Sequence, residues 1–326
     1  MKWAALGMLL CLAAPAGAEP VAHPLRIGVP WSPGSKGMAD LQAAARSIAQ
    51  RTAGRVQVKF AEQPDLDSGP APCDGALLAG TALARQSPAT LIFALPLFFR
   101  SSAEVARVRT ALDAGIAADL ESRGFATIAQ VDLGFAYLHS LAPVETAARL
   151  QAAKLWVPPA DPEAIRMAES CGLSPVPLAA GEVREALRRG AVEAAIVPPL
   201  GAILLQWHAE IKSVADTPFA CLYAVVAVKQ SALAPLDPSD RAVVGAELAR
   251  AFAAAADELR AKEAEALAVL AQNGVERRPL ACAPDRQAEW EAWAGAAADR
   301  LAAAGILPAG PLAQARRTLA EFRAAP

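Results

Sequence analysis

Short apolar runs alternate along this chain with longer stretches whose apolar residues recur at helical spacing. Leu25–Val29 is the first such run and predicts a strand. The turn Trp31-Ser32-Pro33-Gly34-Ser35-Lys36-Gly37 leads from it into a helix carrying Leu41, Ala44, Ala45, Ile48 and Thr52 on one face, closed by Gly54. Val56–Phe60 predicts a second strand. Gly75–Ala82 and Ala89–Phe93 read as strands on either side of a polar interruption, followed by the aromatic element Leu95-Pro96-Leu97-Phe98-Phe99. Ser101 or Ser102 caps a helix predicted over Ser102–Arg123, which Gly124 ends; Thr127–Gln130 and Gly134–Ser140 predict two more strands.

The middle of the chain is the most regular part. Lys154–Val157 predicts a strand, Asp161 and Pro162 open a helix, and Pro175–Leu178 predicts another strand. Gly181–Arg189, closed by Gly190, is a second helix; Val192–Val197 is a third strand, and an apolar helix comes after it. This βαβαβα order predicts a parallel sheet covered by helices. Cys221–Val228 is a later strand. From Asp237-Pro238 the helical pattern continues to Gln272, where Asn273-Gly274 stops it, and at 1.5 Å per residue such a helix is roughly 50 Å long. Trp290, Trp293, Ala297 and Leu301 then form a stripe that reads as core.

Composition narrows the picture. With 326 residues, 54% of them hydrophobic, the chain can build two cores. Lys2, the apolar run Trp3–Ala14 and Ala16-Gly17-Ala18 before Glu19 read as a cleaved secretory leader, residues 1–18, too short to remain as a membrane span. Loss of Lys2 leaves 30 basic against 33 acidic residues, a formal charge of −3, which gives no electrostatic reason to bind nucleic acid or an anionic membrane. Cys73, Cys171, Cys221 and Cys282 remain in the mature chain. At most one disulfide is expected among them, joining Cys221 or Cys282 to another of the four.

Catalytic frames are missing. His23, His139 and His208 are the three histidines, and none sits in G-x-S-x-G, H-E-x-x-H or a comparable setting. No metal-ligand spacing and no glycine-rich phosphate loop occurs. Asp65-x-Asp67-x-Gly69 has the start of a calcium loop, but Ala76 stands where a bidentate glutamate is required, so this stretch reads as a solvated loop. No cofactor, no metal and no enzymatic activity are expected, and a hydrolase with a dispersed site is the weaker alternative.

The segment from Leu150 to Gly201 resembles the second lobe of the DctP-type solute receptors of tripartite ATP-independent periplasmic (TRAP) transporters. That family has a strand of the form L-K-G-L-K-x-R-V-P, then G-A-x-P-x-x-x-x-x-E-V-x-x-A-L-Q-x-G-x-V-D-G, then a proline-containing segment. Here the corresponding residues are Leu150–Pro158, then Gly172–Leu178, Glu182, Val183, Ala186, Leu187, Gly190, Val192 and Glu193, then Pro198–Gly201. The resemblance implies an α/β fold of two lobes, each a mixed or parallel sheet flanked by helices, joined by a hinge, with a long C-terminal helix across both. The implied lobe I is residues 19–137 plus 222–262; lobe II is 138–221 plus 263–326. It also implies a monomeric periplasmic receptor that hands a small solute to TRAP membrane subunits. A sensing or scaffold role on the same fold is the alternative.

This chain departs from the family where the ligand is held. The arginine that usually pairs with a substrate carboxylate falls on Trp156, a second basic position on Ala136, an aromatic position on Ala180, and a polar one on Val197 or Pro198. Burying a carboxylate without a cationic partner costs several kcal/mol, so an apolar or amphipathic ligand is expected. Trp31, Ser32 and Tyr137 are further candidates, with Ser32, Tyr137 and the Trp156 indole N–H as polar contacts. A small organic acid held at another anion site, such as the helix start near Ser35, is the alternative.

Overall fold

The computed structural model describes residues 23–62, 73–159, 161–280 and 284–325. Its first part runs β1 (His23–Val29), α1 (Lys36–Arg51), β2 (Val56–Glu62), β3 (Gly75–Ala79), α2 (Gly80–Gln86), α3 (Ser102–Ser122) and β4 (Phe125–Ser140). Next come α4 (Ala147–Ala152), β5 (Lys154–Val157), α5 (Pro162–Ser170), β6 (Ser174–Pro177), α6 (Ala180–Arg188), β7 (Ala194–Val197), α7 (Pro199–Leu204) and β8 (Ser213–Ala215). The chain ends with β9 (Ala220–Lys229), α8 (Gln230–Leu233), α9 (Pro238–Gln272), β10 (Glu276–Arg278), α10 (Pro284–Ala303) and α11 (Ala309–Ala324).

Local chemistry accounts for the helix boundaries. Ser35 accepts the Met38 N–H at the start of α1, Ser101 accepts that of Glu104 before α3, and Asp161 accepts that of Ala164 before α5. Gly190, at φ +68°, turns the chain after α6 in the left-handed conformation that other residues avoid. The loop carrying Asp65 and Asp67 lies outside the described residues, as does the segment 1–18 expected to be a leader.

Two sheets share one strand. Parallel β2-β1-β3 continue through antiparallel β9 into the first part of β4, where Phe125 lies opposite Lys229 and Ala136 opposite Ala220. From Tyr137 onward β4 changes partners, pairing with β7 and β8, and parallel β5 and β6 extend this second sheet. The fold is therefore a mixed α/β architecture of the two-lobe type, with β4 running from one sheet into the other and β9 beside its first part. Register shifts in β4 fall between Thr127 and Ala129 and between Asp132 and Phe135; in the second, Asp132 accepts the Gly134 N–H and Gly134 takes φ +102°.

Two local expectations are corrected. Ala89–Phe93 is not a strand: Pro88–Ile92 forms a 3-10 turn, because Pro88 cannot donate to a ladder and Thr90 Oγ1 bonds the Ser87 carbonyl instead. The strand predicted over Gly75–Ala82 ends at Ala79, since Gly80 turns at φ +51° into α2.

Packing divides the molecule further. α9, roughly 52 Å long at 1.5 Å per residue, buries Val244, Leu248, Ala251, Phe252 and Ala256 in the core under the first sheet. Its far end places Leu270 in a separate core around Trp207. Arg55 and Arg51 fix its start through Asp240 at 2.8 Å and Glu247 at 2.6 Å. Trp290, Trp293, Ala297 and Leu301 are buried as a core stripe on α10. α11 packs on α3, and Arg323 grips the buried Glu104 through both its carboxylate oxygens.

Cys73, Cys171 and Cys221 are free, buried thiols. The bridge expected from Cys221 is not made; its Sγ instead donates to Asp132 Oδ1 at 3.6 Å across the β4–β9 ladder. Cys282 lies outside the described residues.

Candidate ligand-binding cleft

A cavity of about 410 Å³ opens where the carboxyl ends of β3 and β5 face each other, with β4 and the start of β9 as its floor. Segments from both sheets converge there because ligand clefts in α/β proteins form beyond strand C-termini. Ala79, Gly80 and Leu83 come from the start of α2; Thr90 comes from the 3-10 turn, and Phe93 and Pro96 from the loop after it. Across from them, α5 presents Ala164, Met167, Ala168 and Cys171, the helical spacing of a single face. Leu133, Ala136 and Phe219–Tyr223 close the bottom.

The walls are apolar, and their neutral polar groups are engaged elsewhere. Thr90 bonds the Ser87 carbonyl, Cys221 donates to Asp132, and the Tyr223 hydroxyl donates to Asp113 Oδ1 at 2.9 Å while its ring stacks on Phe93 at 4.1 Å. Burial and the neighbouring Asp113 and its hydrogen bond push the Tyr223 phenol far above its ordinary range, so it stays neutral. Burial likewise pushes the Cys171 thiol up to about 11, which keeps it protonated and unreactive. Among the lining residues there is no Lys, Arg or His; Asp161 is the only charged one.

The sequence-predicted candidates separate into two groups. Ala136 and Trp156 line the cavity. Strand alternation, however, sends Leu155, Val157 and Ile196 toward it and the Trp156 ring toward the core around Trp207, edge-on at 4.8 Å. The Trp156 indole N–H is spent on the Leu178 carbonyl at 2.8 Å, so it is not offered to a ligand. Tyr137 and Val197 are register partners in that same core region, Ala180 packs beside them at the start of α6, and Pro198 precedes α7; none of the four lines the cavity. Trp31 lies against Phe252 at 6.0 Å, and Ser32 donates to Glu62 at 2.7 Å, both outside the cavity. Sequence reasoning missed the α5 face, although Ala164, Met167, Ala168 and Cys171 are visible as an apolar stripe, and it missed Asp161 as anything but a cap.

A second cavity, about 310 Å³, lies between residues 96–100 and helices α10 and α11. Its arginines are committed: Arg100 to Glu291, Arg316 to Asp299 and Arg323 to Glu104. Among the described residues no cluster of His, Cys, Asp and Glu could hold a metal ion, and no helix is long and apolar enough to cross a membrane.

The sequence profile of DctP, bacterial extracellular solute-binding protein family 7, matches residues 28–303. The chain belongs to that family. Family 7 proteins are receptors for small solutes that work with TRAP membrane subunits, and the family is not one of enzymes. No curated protein matches this family 7 chain in sequence. Solved structures share its fold at low identity. A TRAP periplasmic solute-binding protein from Ochrobactrum anthropi, its C-terminus bound in the ligand pocket, superposes with a TM-score of 0.79 at 18% identity, covering 94% of this chain and 97% of that one. A Bordetella pertussis extracytoplasmic solute receptor binding pyroglutamic acid gives 0.75 at 19%, covering 92% and 100%. A Desulfovibrio salexigens protein with bound orotic acid gives 0.74 at 21%, covering 92% and 99%.

Proposed function

We propose that this family 7 receptor is a monomeric periplasmic protein that captures an apolar or amphipathic solute in the cavity between β3 and β5 and delivers it to TRAP membrane subunits, without covalent chemistry. The observation carrying this reading is the lining: about 410 Å³ walled mainly by aliphatic, aromatic and sulfur side chains, with Asp161 as its one charged group and no cation to meet a carboxylate. Apolar contact then supplies most of the affinity, at about 25 cal/mol per Å² of apolar surface removed from water. In the proposed division, residues 19–137 plus 222–262 form lobe I and 138–221 plus 263–326 form lobe II, with closure turning on β4 where it passes between the sheets. The packing of α11 on α3 favours counting α11 with lobe I.

Mass spectrometry of solute released from gently purified protein tests this directly. An apolar or amphipathic molecule is expected, and Ala164→Trp, which fills the cavity from α5, should weaken its binding at least about tenfold. Recovery of a small dicarboxylate whose affinity is unchanged by Ala164→Trp would overturn the proposal. A second reading, a small organic acid receptor, is favoured by the acids bound to structural neighbours, including pyroglutamic acid, orotic acid and D-glucuronate. Against it, the helix start near Ser35 is already capped by the Ser35 hydroxyl, and Ser35 does not line the cavity.

A further inference from the structure

Asp161 is the one charged group in the cavity wall, and its carboxylate is half used. Oδ1 accepts the Ala164 N–H at 2.8 Å and also the hydroxyl of Thr81, which reaches across from α2. Oδ2 carries no hydrogen bond from any described residue, and no Lys, Arg or His among them pairs with the carboxylate. An ionised carboxylate has about four lone-pair sites, so Asp161, half-buried in the wall of an otherwise apolar cavity, keeps acceptor capacity to spare.

This position also reverses the usual logic of a helix start. The first turn of α5, where free N–H groups would receive a ligand anion, is already occupied by a carboxylate belonging to the protein. A second carboxylate brought beside it meets like charge, whereas an ammonium or hydroxyl finds an open acceptor. We propose that the solute is an amphipathic amine: an apolar body lying against Phe93, Met167 and Ala168, with an ammonium head donating to Asp161 Oδ2. A neutral alcohol makes the same hydrogen bond without the charge and ranks below it.

The inference rests on the apolar-cavity reading, and its test separates the two. The mature chain is titrated calorimetrically at pH 7 with 2-phenylethylammonium, 2-phenylethanol and 3-phenylpropanoate, first as wild type and then as Asp161→Asn. Asparagine caps a helix about as well as aspartate, so α5 is retained. The expected order is ammonium, then alcohol, then carboxylate, with about tenfold between the first two, and Asp161→Asn should erase that step while leaving the alcohol within about threefold. Equal wild-type binding of ammonium and alcohol would overturn the role of Asp161 and leave the apolar cavity standing. Tightest binding of the carboxylate would likewise overturn the amine inference alone, and binding of none of the three at millimolar concentration would overturn both. Should the variant fail to fold, the wild-type ranking alone decides.

Discussion

His139 shows how much one side chain can report. It is fully buried on β4, its Nε2 lies 3.2 Å from the Val197 carbonyl oxygen, and its Nδ1 has no hydrogen-bond partner. The neutral ring donates from Nε2, and burial holds the pKa down at about 4, with the Val197 bond opposing weakly. An unfolded histidine titrates near 6.5, so the unfolded chain binds the proton first as pH falls. Stability is therefore unaffected by His139 above pH 7 and declines between 6.5 and about 4, by about 3 kcal/mol in all. Unfolding free energies from urea titrations at pH 7 and pH 5 should differ by about 2 kcal/mol more for the wild type than for His139→Gln. Equal differences would mean that the ring is hydrated in the folded state. From sequence, His139 was legible as a strand histidine without a catalytic frame, but nothing local could announce an unpaired nitrogen. Asp161 was legible as a cap for the same reason that it was overlooked as a ligand group: capping is a local pattern, and an empty oxygen is a tertiary one.

At the scale of elements, β4 is where prediction and structure part most instructively. The sequence pattern predicts two strands, Thr127–Gln130 and Gly134–Ser140, yet one strand runs through both with a bulge between them. Asp132 is satisfied internally by the Gly134 N–H, and Arg260 of α9 bonds the Asp132 carbonyl, so the interruption becomes a braced bend. Gly134 sits at φ +102°, and a β-carbon there would lie 3.6 Å from Arg260 Cγ and 3.9 Å from Glu263 Cγ. Space is adequate; the backbone conformation is what excludes other residues. Gly134→Ala should cost about 1–3 kcal/mol and lower the melting temperature by several degrees. An unchanged melting temperature would show that the bulge relaxes at no cost. Helices and the parallel strands β5, β6 and β7 were legible because capping residues and apolar periods act within a few positions. The 3-10 turn at Pro88 was not, since an apolar run alone suits either a strand or a turn packed beneath one.

For the whole molecule, the two-lobe class was legible in the alternation of strands and helices together with spaced family anchors. The cavity was legible only in part. Its walls come from residues around 80, 93, 136, 165 and 220, and no window of sequence holds more than one of them. Departures from the family pattern pointed to loss of charge, which the lining bears on, while strand alternation decided that Trp156 and Val197 face another core.

The position of β9 also governs the order in which this chain can acquire structure. β3 and β4 are not paired with each other; β9 lies between them and supplies both ladders, with Phe135 opposite Cys221 and Leu77 opposite Val226. A nascent chain that has reached Thr217 thus holds every other strand of the first sheet but lacks the one that joins them. Its edges at β3 and β4 remain open until the intervening segment has been made, a high-contact-order closure that folds slowly and leaves strand edges exposed to association. A fragment ending at Thr217 should show no cooperative unfolding transition by circular dichroism, and a sigmoidal melt from that fragment would contradict this. The strand placed last in the chain order of the first sheet thus decides when that sheet can close.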